Sequence, residues 1–338
     1  MGDMKRTTLF FTAPRQVELR EESLPALGAD DVLVETLCSA ISAGTEMLLY
    51  QNRFPPDMEA DSAIAGLRGQ LEYPLAYGYA CVGQVKRIGT SVRRNWENQF
   101  VFSFQPHTTH FITTPDSLFP IPDALSPECA CFLPNMETAV SLVQDGAPIL
   151  GERVMVFGQG VVGLLTASLL AEFPLDCLAT ADRYAQRRKA LNAQRFLSLD
   201  PAAEDFRSCL SGCAPDGFDL TYELSGNPKA LNDAIALTRF SGRIVIGSWY
   251  GGKRAEIDLG GSFHRSRLKL ISSQVSTIAP ELSARWDKSR RFAVAWEALK
   301  RIQPQKWITH RFPLSQAAQA YRLLDERPQE AIQVMFTY

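Results

Sequence analysis

Residues 153–163 read RVMVFGQGVVG, an apolar run that ends in Gly158, Gly160 and Gly163 at G-x-G-x-x-G spacing and opens directly into the stretch VVGLLTASLL. A strand, a tight turn and a helix are predicted in that order, and each glycine has its own task. Gly158 permits the turn, Gly160 lets the backbone approach a pyrophosphate, and Gly163 lets the helix pack closely on the strand. The first helical turn, with Val161 and Val162, presents unpaired N–H groups and a partial positive charge to phosphate oxygens. The next strand, CLATAD, ends in Asp182, a carboxylate suited to an adenosine ribose diol. That carboxylate disfavours a 2′-phosphate, whereas Arg183, Arg187 and Arg188 attract one. Its strand-end position favours NAD, with NADP as the alternative.

The alternation continues beyond the turn. RYAQRRKALNA, DLTYELSG, NPKALNDAIALT, GRIVIGS and RLKLISSQVS follow as helix, strand, helix, strand and strand, which predicts βαβ units and a doubly wound parallel sheet. Thr138, Ser225, Gly226 and Gly247 complete the candidate cofactor set. Residues 1 to about 125 have a different texture. TTLFFT, QVELREE, DVLVETLCSAIS and YACVGQVKRIG carry β-branched and aromatic residues with partial alternation, predicting a β-rich, barrel-like unit. The tandem prolines at 55 and 56 open a long excursion with one short helix expected around 58–67. After the sheet, helices are expected around 290–301 and 314–324, then a last strand IQVMFTY. The expected domains are 137–276 for the dinucleotide sheet, and 1–136 with 277–338 for the other unit.

The whole chain has 338 residues, 46% of them hydrophobic, and a net charge of −2. Two domains are expected from that length, and no basic field draws the chain to nucleic acid or an anionic membrane. No apolar run approaches a membrane span and the start MGDMKRTTLFF lacks a signal peptide's apolar core, so a cytoplasmic protein with a small-molecule substrate is expected. The seven cysteines include no CxxC pair, which argues against a four-thiolate zinc lobe. Cys209 and Cys213 lie four apart on an expected helix but have no second ligand pair nearby. RLKLISSQVS is apolar enough to pair with its own copy, so a homodimer is expected.

This order of domains resembles the medium-chain dehydrogenase/reductase superfamily. The stretches CSAISAGTE at 38–46, YPLAYGYACVGQV at 73–85, METAVSLV at 136–143, VMVFGQGVVG at 154–163 and WITHRFPLSQAAQAYRLLD at 307–325 carry the likeness. It implies a Rossmann domain joined to a GroES-like catalytic domain, and an oxidoreductase that uses NAD or NADP. Zinc members hold a ligand Cys in the first stretch, a Gly-His-Glu in the second and a third ligand before the METAV-like helix. Here Ser42 is the nearest match to the first, Gly78-Tyr79-Ala80 stands at the second, and Pro134, Asn135 and Met136 stand at the third. Such a set makes no tight tetrahedral zinc site. The phrases IS-x-GTE and PL-x-x-GY resemble a zinc-free branch, the bacteriochlorophyllide dehydrogenases.

Without zinc, a hydroxyl or imidazole must handle the substrate oxygen. Thr45 falls where the family's proton-relay hydroxyl lies, Tyr79 takes the lost histidine's place, and His107 in FQPHTTHF is a residue that trades protons near neutral pH. Glu46 is expected to bond nearby backbone. Arg265, Arg267, Arg285, Arg290 and Arg291, with His264, form either a solvated or subunit-facing surface or a grip on an anionic substrate group. The expected activity is zinc-independent hydride transfer between NAD(H) and an alcohol/ketone pair. The alternatives are an NADPH-dependent enone or quinone reductase and a non-catalytic dinucleotide-binding protein.

Overall fold

Alternate residues of the strand RVMVF point to opposite sides, and both sides are apolar. Met155 and Phe157 enter a buried cluster with Phe206, Leu231 and Ile235, while Val154 and Val156 enter another with Leu142, Leu170 and Tyr222. A strand buried on both faces belongs in the middle of a parallel sheet, and each fully buried side chain of this size stabilises the fold by about 1.5–3 kcal/mol. The computed structural model describes residues 4–55, 71–191 and 197–338. The helix expected at 58–67, and the end of the one expected over 183–193, lie outside the described residues.

In chain order the elements are β1 (Lys5–Ala13), β2 (Gln16–Ser23), β3 (Val32–Ala40), α1 (Ala43–Tyr50), β4 (Leu75–Ala76), β5 (Cys81–Ile88), β6 (Phe100–Ser103), β7 (His110–Thr113), β8 (Phe119–Pro120), α2 (Pro127–Ala130) and α3 (Leu133–Gly146). Then come β9 (Arg153–Phe157), α4 (Val161–Leu170), β10 (Cys177–Ala181), α5 (Ala185–Arg188), β11 (Leu197–Leu199), α6 (Phe206–Ser211), β12 (Phe218–Glu223), α7 (Ala230–Leu237), β13 (Thr238–Ile246), β14 (Lys269–Ser272) and α8 (Lys288–Ile302). The last are β15 (Ile308–Pro313), α9 (Ala317–Glu326) and β16 (Gln333–Thr337). Two compact units result, Met1–Pro134 with Gln303–Tyr338, and Asn135–Ile302.

In the second unit β11-β10-β9-β12-β13-β14 form one sheet in that order, with every pair parallel. The order reverses beside β9, so the C-terminal ends of β9 and its neighbours border the crevice where open α/β sheets bind ligands. The helix α8 belongs to this unit, whereas the sequence placed its residues with the other domain. The reason is a tie that no periodicity reveals: Arg291 is 1% exposed and donates to Glu137 Oε1 on α3 at 2.7 Å and to the Thr277 carbonyl at 2.9 Å.

The first unit holds a mixed seven-stranded sheet, with path β15-β16-β3-β5-β6-β8 and β7 on β3, beside a three-stranded sheet β2-β1-β4. Its core gathers Val32, Val34, Cys81, Val85, Val101 and Phe111. The β-rich, barrel-like expectation is met, and the chain's final segment completes it as β16 pairs antiparallel with β3. Among the described residues no helix is long and apolar enough to cross a membrane.

Candidate active site

In the second unit the turn after β9 separates the three glycine tasks. Gly158 has φ +92°, and a Cβ there would lie 2.6 Å from the Leu224 backbone. A Cβ on Gly163 would lie 1.9 Å from the Gly158 carbonyl oxygen, so the first turn of α4 sits directly on the turn. Gly160 has ordinary extended backbone (φ −66°, ψ −178°), and a Cβ there would meet nothing nearer than Arg187 Nη1 at 3.9 Å. Neither backbone nor packing requires a glycine at 160. A bare backbone at a helix N-terminus that lacks a side-chain cap leaves room for a phosphate.

Asp182 is 8% exposed and accepts the Gln159 N–H at 2.7 Å and the Tyr184 N–H at 2.8 Å. Its carboxylate therefore ties the turn to the end of β10. Arg183 is exposed, Arg187 lies over the Tyr184 ring at 4.9 Å, and Arg188 pairs with Asp200 at 3.0 Å. Val161 and Val162 begin α4, and half-buried Thr138 lies on α3. Ser225 and Gly226 follow β12, where buried Glu223 accepts the Ser225 N–H at 2.8 Å and the Tyr250 O–H at 2.5 Å. Gly247 is fixed by packing, because a Cβ there would lie 2.5 Å from Leu142 Cδ2. Sequence reasoning missed Glu223 and Tyr250, which brace this loop. The arginine group does not form a single surface: Arg291 is buried in its tie to Glu137, and Arg290 lies over Trp286 at 4.2 Å.

In the first unit, Tyr79, Ser42 and Thr45 meet. The Tyr79 hydroxyl donates to Ser42 Oγ and stands 3.3 Å from Thr45 Oγ1; all three residues are half-buried. Ser42 precedes α1 and Thr45 lies in its first turn, so one helix start positions both hydroxyls against the turn at Gly78. His107 is placed differently. It is 0% exposed, with Nδ1 2.7 Å from Ser39 Oγ and Nε2 3.1 Å from Glu46 Oε2. Glu46, also wholly buried, accepts the Ser42 N–H on Oε1 at 2.7 Å and the Tyr321 O–H on Oε2 at 2.5 Å. Ser39 Oγ lies 2.7 Å from the Tyr338 hydroxyl.

As a carboxylate Glu46 only accepts, so His107 Nε2 donates to it; at Nδ1, and between Ser39 and Tyr338, either partner can supply the hydrogen. Burial, reinforced by Glu46, holds the Tyr321 phenol well above its usual pKa, which keeps it a donor. Ser39, His107 and Glu46 stand in the sequence of contacts of a hydrolytic triad, but Ser39 is 0% exposed and no acyl group reaches it. Glu46 bonds backbone as expected; its bonds to His107 and Tyr321 were not foreseen. His110, on β7, is half-buried 3.9 Å from Glu35.

The donor set does not fit zinc. The hydroxyls of Ser42 and Tyr79 bond each other, and neither is a thiolate, imidazole or carboxylate. Burial pushes the Cys81 and Cys129 thiols up to about 12 and Cys131 well above its usual value. Cys209 bonds Asp205 and not Cys213. Among the described residues no group of three or more His, Cys, Asp or Glu is arranged to hold a metal ion.

No protein-family model matches the chain. It is 26% identical, over 94% of its length and 94% of the relative's, to 2-desacetyl-2-hydroxyethyl bacteriochlorophyllide A dehydrogenase of Cereibacter sphaeroides. Among solved structures it resembles an alcohol dehydrogenase of Escherichia coli complexed with NADH (TM-score 0.77, 17% identity, 99% of both chains). It also resembles a dehydrogenase of Sinorhizobium meliloti bound to NADP (TM-score 0.76, 19% identity, 99% of this chain and 100% of that one). The fold is that of the medium-chain dehydrogenases and reductases, a Rossmann unit with a GroES-like unit. The chain is an oxidoreductase, as its named relatives are dehydrogenases.

Proposed function

We propose that this oxidoreductase transfers hydride between NAD(H) and an alcohol/ketone pair without zinc, with Tyr79, Ser42 and Thr45 managing the substrate oxygen. The meeting of three half-buried hydroxyls carries this reading: the resemblance puts Ser42 and Tyr79 at zinc-ligand positions and Thr45 at the proton-relay position. When bound, the nicotinamide supplies the hydride acceptor for oxidation and the donor for reduction. The turn from Gly158 to Gly163, with Val161 and Val162, holds the pyrophosphate and Asp182 the ribose. Arg183, Thr138, Ser225, Gly226 and Gly247 complete the cofactor contacts. NAD is the preferred cofactor because Asp182 opposes a 2′-phosphate.

With substrate bound, the Tyr79 hydroxyl turns from Ser42 Oγ and donates its one hydrogen to the substrate oxygen, opposing the charge that develops there. In oxidation the substrate hydroxyl proton passes to the hydroxyl cluster and on to water; in reduction it returns by the same route. The likeness to the bacteriochlorophyllide enzyme puts a 1-hydroxyethyl/acetyl pair first in a panel of secondary alcohols and ketones. Tyr79→Phe should lower kcat by about 10²- to 10³-fold with NAD affinity unchanged, in protein that elemental analysis finds without stoichiometric zinc. A wild-type kcat in Tyr79→Phe, or one tightly held zinc per chain, overturns the reading.

A further inference from the structure

We propose that Glu46 and His107 are positioning residues that hold Tyr79 in register with Ser42 and Thr45, an inference that rests on the reading of Tyr79 above. His107 touches the Tyr79 turn twice. Its backbone N–H donates to the Tyr77 carbonyl at 3.4 Å, and its ring fills the space beside Gly78. That glycine has φ +130°, and a Cβ on it would lie 2.9 Å from His107 Cδ2 and 3.0 Å from Nε2. Gly78 is therefore a glycine for two reasons, its backbone and the imidazole pressed against it.

On its other side His107 Nε2 donates to Glu46 Oε2, and Glu46 Oε1 receives the Ser42 N–H. Two wholly buried side chains thus connect the turn carrying Tyr79 to the helix start carrying Ser42 and Thr45. Their remaining bonds run to buried Tyr321 and buried Ser39, and from Ser39 to Tyr338, which is 38% exposed, with the Phe336 ring edge-on to the imidazole at 4.9 Å. In so dry a setting these bonds are stiff, and a broken one is costly. The hydroxyl cluster needs that stiffness: three rotatable O–H groups have many arrangements, and a displacement of about 1 Å at a reacting group costs on the order of 10²-fold in rate.

A double-mutant cycle tests the coupling. Glu46→Gln keeps the shape but turns one acceptor into a donor facing donors. It should lower kcat by about 10- to 100-fold with the KM for NAD changed less than about twofold. In a Tyr79→Phe background the same substitution should cost less than about threefold, because the group it positions is gone. Glu46→Asp, which keeps the charge, should recover part of the loss. Should Glu46→Gln not fold, Tyr321→Phe removes a single donor from Glu46 and enters the same cycle, with a smaller loss that also vanishes beside Tyr79→Phe. Equal losses in both backgrounds would make the pair purely structural and sink the proposal, as would a wild-type kcat in folded Glu46→Gln. A wild-type kcat in Tyr79→Phe alone takes down both readings, whereas a large Tyr79 effect with an additive Glu46 effect removes only this one.

Discussion

Gly160 is the one glycine of its turn that the protein's own packing does not demand, which makes it the sharpest probe of the cofactor. Gly160→Ala should change stability by less than about 1 kcal/mol, as at an open surface position, yet weaken NAD binding at least about tenfold by crowding the pyrophosphate. Gly163→Ala should instead destabilise the second unit by about 1–3 kcal/mol, since its Cβ meets a backbone oxygen. Thermal unfolding and calorimetry read both, and an unchanged NAD affinity in Gly160→Ala would remove the cofactor from this turn. These glycines were legible because their partners lie within a few residues or on the adjoining strand. The surroundings of Glu46 were not: His107 is 61 residues away and Tyr321 is 275 residues away, and nothing in a local pattern announces either pairing.

Arg243 on β13 shows how one element is pinned to another. Its guanidinium grips both carboxylate oxygens of Glu152, at 2.7 and 2.6 Å, and donates to the Gly146 carbonyl that ends α3. Burial pushes the Glu152 carboxyl up, but the Arg243 bonds and the Ile149 N–H outweigh it and leave the pKa below the usual carboxylate value. A depressed folded pKa means the contribution is present above the unfolded value of about 4.3 and is lost as pH falls through the folded one. Glu152→Gln should therefore cost about 2 kcal/mol at pH 7, and the gap from wild type should narrow steadily below about pH 4 in urea unfolding. A gap independent of pH would show that the charge is irrelevant.

The elements that the sequence foretold, such as β9, α4, β12 and α8, carry a full period of apolar residues. Those it did not foretell are short or held by distant contacts. The strands β4 and β8 have two residues each, too few for a pattern. The helix α1 begins with Ala43, Gly44 and Thr45 and has no side-chain cap from Ser42; Glu46 Oε1 takes the Ser42 N–H from within the helix instead, and its other oxygen is anchored by His107 and Tyr321.

For the molecule as a whole, the second unit's sheet stops at β14 with Leu270 38% exposed, an edge with unsatisfied backbone groups on its outer side. We propose that pairing with a second copy covers it, and light scattering at micromolar concentration should then give twice the 37.5 kDa chain mass. A monomer would count against this. The sequence shows a change of texture near residue 126 and an expected return of 277–338 to the first unit; in the structure 303–338 make that return, while 277–302 stay with the second unit. That return governs the order in which the protein is made. While a ribosome is still at residue 302, β3 has no β16 beside it, Glu46 lacks Tyr321, and Ser39 lacks Tyr338. The Rossmann unit, continuous in sequence, is complete once residue 302 has left the ribosome. The unit begun first is finished last, and its buried carboxylate waits for partners until the closing stretch of the chain emerges.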